Sequence, residues 1–205
     1  DVAFRYSFPV LGGWNAMHVD SETTSFNIPS SSTAFIAPQS DPCSAWCRTH
    51  PAYEEVYSID APLDKKSQYG YGYTFPALFR VGNDGWMLIS ETGTDGGYAG
   101  CALSEYKNGE GYTVAFPSHG QNAGLGSDVC GLSLPASTPW RTITVGSTLK
   151  PIVETTIPFD VVKAKYPASQ NYAPGRYVWS WIIWQDESIN YDDQKAFIDM
   201  AAQMG

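Results

Sequence analysis

The stretch "LFRVGNDGWMLISET", Leu78 to Thr92, decides the fold class. Two apolar runs flank Asn83-Asp84-Gly85, and an Asp-Gly pair tolerates the positive φ of a tight turn, so the runs read as the arms of an antiparallel hairpin. The same grammar extends outward. In "VAFRYSF" the side chains of Val2, Phe4, Tyr6 and Phe8 share one face and Ala3, Arg5 and Ser7 the other, which is the period of a half-buried strand. Further short strands are expected in "TSFNI", "TAFIA", "YEEVYSI", "YTFPALFRV", "GCALSEY", "YTVAF" and "WRTITVG", separated by Gly, Pro, Ser and Asn clusters. So many strands at short spacing predict a large antiparallel β-sandwich over residues 1–165.

Near Tyr166 the pattern changes. "YPASQNYAPGR" has the composition of a linker, and "YVWSWIIW", Tyr177 to Trp184, is apolar on both faces, as in a strand of a covered and typically parallel sheet. Asp192 or Asp193 is the expected N-cap of a following helix, with Phe197, Ile198, Ala201, Ala202 and Met204 at helical spacing and Gly205 as its stop. Residues 166–205 thus read as a linker and the first strand and helix of an α/β domain, most economically a (β/α)8 barrel whose other units are expected beyond residue 205. A helix that closes the sandwich is the alternative.

Composition narrows the function classes. The 205 residues carry 12 Lys+Arg against 21 Asp+Glu, a formal charge of -9, so there is no basic surface to meet nucleic acid or an anionic bilayer. No apolar run approaches the roughly 18 residues of a membrane helix, which predicts no membrane insertion. The chain opens at Asp1 already within a strand pattern, as expected if a leader was removed or the piece was cut from a longer protein. Seven tryptophans and 13 tyrosines suit both β-rich folds and sugar-handling surfaces. The spacing of Cys43 and Cys47 in "CSAWC" is not that of a zinc or thioredoxin-like motif, and His18, His50 and His119 are scattered. Disulfides in an oxidising compartment and four buried thiols, counting Cys101 and Cys130, both remain open.

No nucleophile elbow, phosphate loop or metalloprotease motif is present. Asp84, Gly85, Asp95 and Gly96 lack the alternating oxygen ligands and closing Glu of a calcium loop. Glu91 is the carboxylate of interest: it follows the apolar run Trp86 to Ile89 and precedes a glycine-rich turn, at a strand end where it can meet a partner surface or simply be solvated. Calcium takes six to eight oxygens and one carboxylate supplies at most two, so any site at Glu91 needs donors from elsewhere. Trp140 and Arg141 read either as a sugar-facing aromatic with a polar clamp or as packing, the Arg stem covering an aromatic face. Trp179, Trp181 and Trp184 read as core or as sugar stackers. Glu54, Glu55, Asp192 and Asp193 form no acid and base pair.

Taken in order, "DVAFRYSFP", "SETTSFNIP", "YEEVYSIDAPL", "WMLISETGTDGGYAGCALS", "TPWRTITVG", "APGRYVWSW" and "QKAFIDMAAQMG" resemble glycoside hydrolase family 97 along essentially the whole chain. The resemblance implies a galactose mutarotase-like β-super-sandwich ahead of a catalytic (β/α)8 barrel, with "YVWSWII" as the first barrel strand. It implies a secreted or periplasmic, calcium-dependent enzyme that cleaves α-glucosidic or α-galactosidic bonds of an oligosaccharide, with water or a barrel carboxylate attacking and a glutamic acid protonating the leaving oxygen. Glu91, in "LISETG", stands where the family carries a glutamate lent to calcium, so the resemblance makes it the expected metal ligand. Two features depart from the family: Ser180 replaces an acidic residue at the first barrel strand, and "NGEGYTVAFPSHGQNAGLGSDVCG" is an unfamiliar insertion. The catalytic carboxylates are expected beyond residue 205, in the remainder of the barrel, so the fragment alone is expected to be inactive. The rival readings are a non-catalytic carbohydrate-binding sandwich and a purely structural β domain.

Overall fold

The structure is a computed structural model that describes residues 1–10, 12–40, 57–121, 127–175 and 177–205. The chain divides into two compact units, Asp1–Lys163 and Ala164–Gly205. The first opens with β1 (Val2–Phe4), β2 (Ser7–Phe8), β3 (Ala16–Val19), β4 (Ser25–Phe26), β5 (Ser32–Ile36) and β6 (Ser58–Pro62). It continues through β7 (Ala77–Val81), β8 (Gly85–Thr92), β9 (Ala102–Leu103), β10 (Tyr112–Ala115), β11 (Cys130–Ser133), β12 (Ala136–Ser137) and β13 (Trp140–Gly146). Two short helices, α1 (Lys150–Val153) and α2 (Ile157–Val161), end it.

The main sheet has the order β1-β13-β8-β7-β5-β6, a second sheet the order β4-β10-β9, and the pairs β11-β3 and β12-β2 form ribbons. All described pairings within these sheets are antiparallel and no sheet closes into a barrel among the described residues. Ala34, Ile36, Ala77, Phe79 and Ile89, from one face of the main sheet, pack with Phe26, Leu103, Tyr112 and Val114 of the second. The core therefore lies between two antiparallel layers, as the alternating patterns predict. Tyr112, fully buried, donates its hydroxyl to the carbonyl of Leu63 at 2.8 Å, so its polar tip is satisfied inside that core.

The β7–β8 hairpin forms where the sequence places it, with the amide of Asp84 donating to the carbonyl of Val81 at 2.9 Å. The positive φ values fall on Gly82 (51°) and Gly85 (152°). Gly85 has a second reason to be glycine: a Cβ there would come within 2.4 Å of the carbonyl oxygen of Gly146 on β13.

The second unit contains α3 (Trp181–Trp184), a 3-10 turn over Gln185–Ser188, and α4 (Tyr191–Met204). The expected strand over 177–184 is a correction: residues 177–179 are irregular and Trp181–Trp184 is a helical turn, its start marked by the Ile183 amide donating to the Ser180 carbonyl at 3.0 Å. No strand among the described residues of this unit offers a ladder, so the backbone closes its hydrogen bonds locally. A short apolar run does not distinguish strand from helix by periodicity. The helix after it is present, but its N-cap is Asn190, whose side-chain oxygen accepts from the Asp193 amide, rather than Asp192 or Asp193. Phe197 is buried with the Trp184 ring 5.6 Å away, whereas Trp179, Trp181 and Met204 are exposed.

Candidate functional site

The register of the two longest strands of the main sheet builds the site. Ile89 of β8 lies opposite Ile143 of β13, and two residues further along the same face Glu91 lies opposite Arg141. The face that buries Ile89 therefore also buries an ion pair. Arg141 is fully buried, and the side chains of its two carboxylate partners, Glu22 and Glu91, are only 5% and 8% exposed. Glu22 comes from the segment between β3 and β4. Arg141 grips it with two bonds, Nε donating to Oε1 at 3.0 Å and Nη2 to Oε2 at 2.6 Å. Nη1 donates to Oε2 of Glu91. Nη2 also reaches the Cys101 sulfur at 3.3 Å, the Cys101 amide donates to Oε1 of Glu91 at 3.4 Å, and the Tyr98 hydroxyl donates to Oε2 of Glu22 at 3.4 Å.

One guanidinium thus faces two buried carboxylates. Burial by itself would favour neutral Arg141, but the hydrogen bonds and charge of Glu22 and the charge of Glu91 outweigh it and hold its pKa above the ordinary value. Burial pushes the Glu91 carboxyl up, and the Arg141 charge with the Cys101 amide offsets only part of that rise. The Cys101 thiol is pushed up to about 12 by burial and then by the Glu91 charge, which keeps it a neutral thiol at physiological pH rather than a nucleophile. Tyr98 rises for the same reasons, burial first and the charge of Glu22 second. Glu22 and Tyr98 also line a cleft of about 470 Å³ together with Tyr6, Phe8, His18 and Asp20, so the buried network has one polar edge on an open cavity.

The other sequence candidates are dispersed. Trp140 and Arg141 are neighbours on one strand and point to opposite faces, and the cation over the Trp140 ring is Arg5, at 4.6 Å, not Arg141. Asp95 accepts from the Gly97 amide at 2.8 Å in a local turn. Asp192 and Asp193 lie in the first turn of α4, Asp192 exposed and Asp193 half-buried with its carboxylate accepting from the Asn190 side-chain amide at 2.6 Å. Trp179 and Trp181 stack on each other at 5.9 Å. Ser180 is buried and accepts from the Gln194 amide group at 2.5 Å. Cys101 and Cys130 are free thiols, while Cys43, Cys47, His50, Glu54 and Glu55 lie outside the described residues.

Sequence reasoning missed Glu22, Tyr98 and Cys101 as members of the network. One signal was available: Arg141 shares its strand face with Ile143, and a cation on a core face requires anions.

Calcium, which the family resemblance implies, does not fit these residues as a self-contained site. Glu91 offers at most two of six to eight oxygens, Arg141 occupies one of them, and no group of three or more His, Cys, Asp or Glu side chains is placed to hold a metal ion among the described residues.

The family model "Glycosyl-hydrolase 97 N-terminal" matches residues 1–163. A crystal structure of a β-arabinopyranosidase is similar at 55% identity and a TM-score of 0.89, over 99% of this chain and 32% of that one. A glycoside hydrolase family 97 enzyme variant from Pseudoalteromonas sp. strain K8 shares the fold at 24% identity and a TM-score of 0.56, over 76% of this chain and 21% of that one. The acarbose complex of a family 97 enzyme from the same strain shares it at 22% identity and a TM-score of 0.54, with the same coverage. The chain thus spans about a third or less of these proteins. No curated protein matches it significantly.

Proposed function

Because the chain belongs to glycoside hydrolase family 97 and carries its N-terminal domain, we propose that it supports a hydrolase acting on terminal β-L-arabinopyranosyl or α-D-galactosyl groups. The observation that carries the proposal is the likeness to a β-arabinopyranosidase along nearly the whole chain. The two sugars are one stereochemical class: a β-L-arabinopyranoside is an α-D-galactoside without its C6 hydroxymethyl group. A pocket for one excludes the other only by the space at C6, whereas an α-glucoside differs by inversion of the C4 hydroxyl and leaves any hydrogen-bonding partner of that hydroxyl unpaired.

In this reading bond cleavage belongs to a pair of carboxylates outside the described residues, one protonating the leaving oxygen and the other acting as nucleophile or as base for water. The domain's own contribution is positional. Arg141 clamps Glu22 bidentately and draws Glu91 to the end of β8, so the carboxylate at that strand end has a defined direction. If Glu91 is lent to a calcium ion, the other ligands come from outside this chain. Glu91→Gln in the full-length enzyme then raises the calcium concentration needed for half-maximal activity, and an unchanged requirement removes Glu91 from the ligand set.

The substrate class is tested with nitrophenyl glycosides and the full-length enzyme. The expected order of kcat/KM is β-L-arabinopyranoside at or above α-D-galactopyranoside, and both far above α-D-glucopyranoside. A preference for the glucoside overturns the proposal.

A further inference from the structure

Asn108-Gly109 is the one Asn-Gly pair in the sequence, and it lies at the tip of the turn between β9 and β10. The Lys107 amide donates to the Gly111 carbonyl at 2.9 Å, and the Lys107 carbonyl accepts from the amides of Gly111 at 2.8 Å and Glu110 at 3.1 Å. Lys107 Nζ stands 3.4 Å from Oε2 of Glu110. Gly109 itself takes a φ of 83°, which suits a residue without a side chain. These contacts fix residues 107, 110 and 111 and leave the pair between them untied. Both Asn108 and Gly109 are exposed, and neither the Asn108 side-chain amide nor the Gly109 N–H has a hydrogen-bond partner among the described residues.

We infer that Asn108 is a site of spontaneous deamidation, a covalent modification that the folded protein undergoes without an enzyme. The Gly109 N–H gives its proton to hydroxide, and the nitrogen forms a bond to Cγ of Asn108. The bond from Cγ to the side-chain nitrogen then breaks, and ammonia leaves with a proton from water. Water opens the resulting succinimide ring at either carbonyl, which leaves aspartate or isoaspartate at position 108. Water is consumed, ammonia is released and nothing is oxidised or reduced. Two rotations within Asn108, about Cα–Cβ and Cα–C, bring the reacting atoms together. They break only the exposed bond from Glu110 to Lys107, and opening at an exposed loop tip is cheap. A Cβ built at Gly109 would meet nothing within 4 Å, so no neighbour obstructs the movement.

The same chemistry is blocked at the comparable positions. Every other asparagine precedes a residue whose side chain crowds the attacking nitrogen and stiffens the backbone. Asn190 is also tied at both ends, its Oδ1 accepting from the Asp193 amide at 3.0 Å and its Nδ2 donating to the Glu187 carbonyl at 2.9 Å. Asp84 and Asp95 precede glycine, but a carboxylate is a poorer electrophile than an amide. Gly85 is pressed against β13, and Asp95 accepts from the Gly97 amide at 2.8 Å. Each event at Asn108 adds one negative charge to a chain of formal charge -9, beside the Lys107–Glu110 pair. Isoaspartate also adds a main-chain carbon to the turn. Gly111 lies too close to Phe26 to shift, since a Cβ there would come within 2.1 Å of the Phe26 carbonyl oxygen, so residues 108–110 absorb the extra atom and the strands keep their register.

The test is isoelectric focusing of the intact native protein before and after several days at 37 °C, with mass spectrometry of the digest. An acidic satellite band is expected, growing faster at pH 8 than at pH 6 because the attacking nitrogen has to lose its proton. The digest should contain two product peptides of equal mass, one with aspartate and one with isoaspartate at position 108, and the other described asparagines should be intact. Asn108→Gln, whose longer side chain cannot close the same ring, should give no satellite band. An Asn108 that stays amidated in the folded protein and reacts only in urea overturns the inference, as does a satellite band that persists in Asn108→Gln. The readout needs no substrate, so it stands apart from the hydrolase reading.

Discussion

Arg141→Met removes the one cation that faces two buried carboxylates. Glu22 loses a bidentate clamp and Glu91 its closest partner, and the side chains of both are less than a tenth exposed, so solvent does not replace what is lost. Breaking a buried ion pair from one side costs about 3–5 kcal/mol. The two pairs do not add, because the Glu91 carboxyl, already raised, takes up a proton once the guanidinium is gone. The expected loss is therefore about 3–5 kcal/mol, out of a typical total of about 5–15 kcal/mol. For a chain of this size it lowers Tm by about 6–20 °C. The assay is urea denaturation at pH 7, read as a shift in midpoint at constant slope. The control is Glu22→Gln and Glu91→Gln added to Arg141→Met, which leaves no buried charge and regains most of the loss. A single variant that loses less than about 1 kcal/mol, or a triple variant no more stable than the single, refutes the claim that uncompensated charge is what Arg141 prevents.

The remaining predictions concern the same network and the hairpin that leads to it. Since the folded pKa of Glu91 lies above its unfolded value, its contribution is fully present below the unfolded pKa and is lost as pH rises through the folded one. Glu91→Gln should therefore flatten the stability profile upward from about pH 4.5, and a variant curve parallel to the parent's contradicts the assignment. Cys101, with a thiol pushed up to about 12, should resist iodoacetamide at pH 8 in the native protein and react once unfolded; mass spectrometry of the digest that finds prompt native labelling at Cys101 removes it from the buried network. Gly85→Ala forces a Cβ to within 2.4 Å of the Gly146 carbonyl at a φ of 152°, so a loss of about 1–3 kcal/mol in the same urea assay is expected, and a neutral substitution means the turn differs from the one described.

The parts of the fold legible in the sequence were those that rest on local chemistry. The β7–β8 hairpin is written in Asn83-Asp84-Gly85 and its flanking apolar runs, and α4 in its apolar spacing, because turn sterics and side-chain periodicity act within a few residues. Glu91 stood out as a carboxylate at the end of an apolar strand. Its partners did not: Glu22 lies 119 residues from Arg141 in the sequence, and no local pattern joins them. The run Tyr177 to Trp184 shows the converse: its apolar pattern predicts a strand, but strand formation depends on neighbours that the run itself cannot supply, and Trp181–Trp184 is a helical turn.

By itself, then, the sequence determined an antiparallel β domain of acidic character with a helix at its end, since period, turn residues and charge are properties of short segments and of sums over the chain. Only the tertiary structure decided that Arg141 is a buried hub rather than a sugar clamp. That follows from register and sheet order, which bring residues far apart in the chain into one low-dielectric space where a charge has to find a partner.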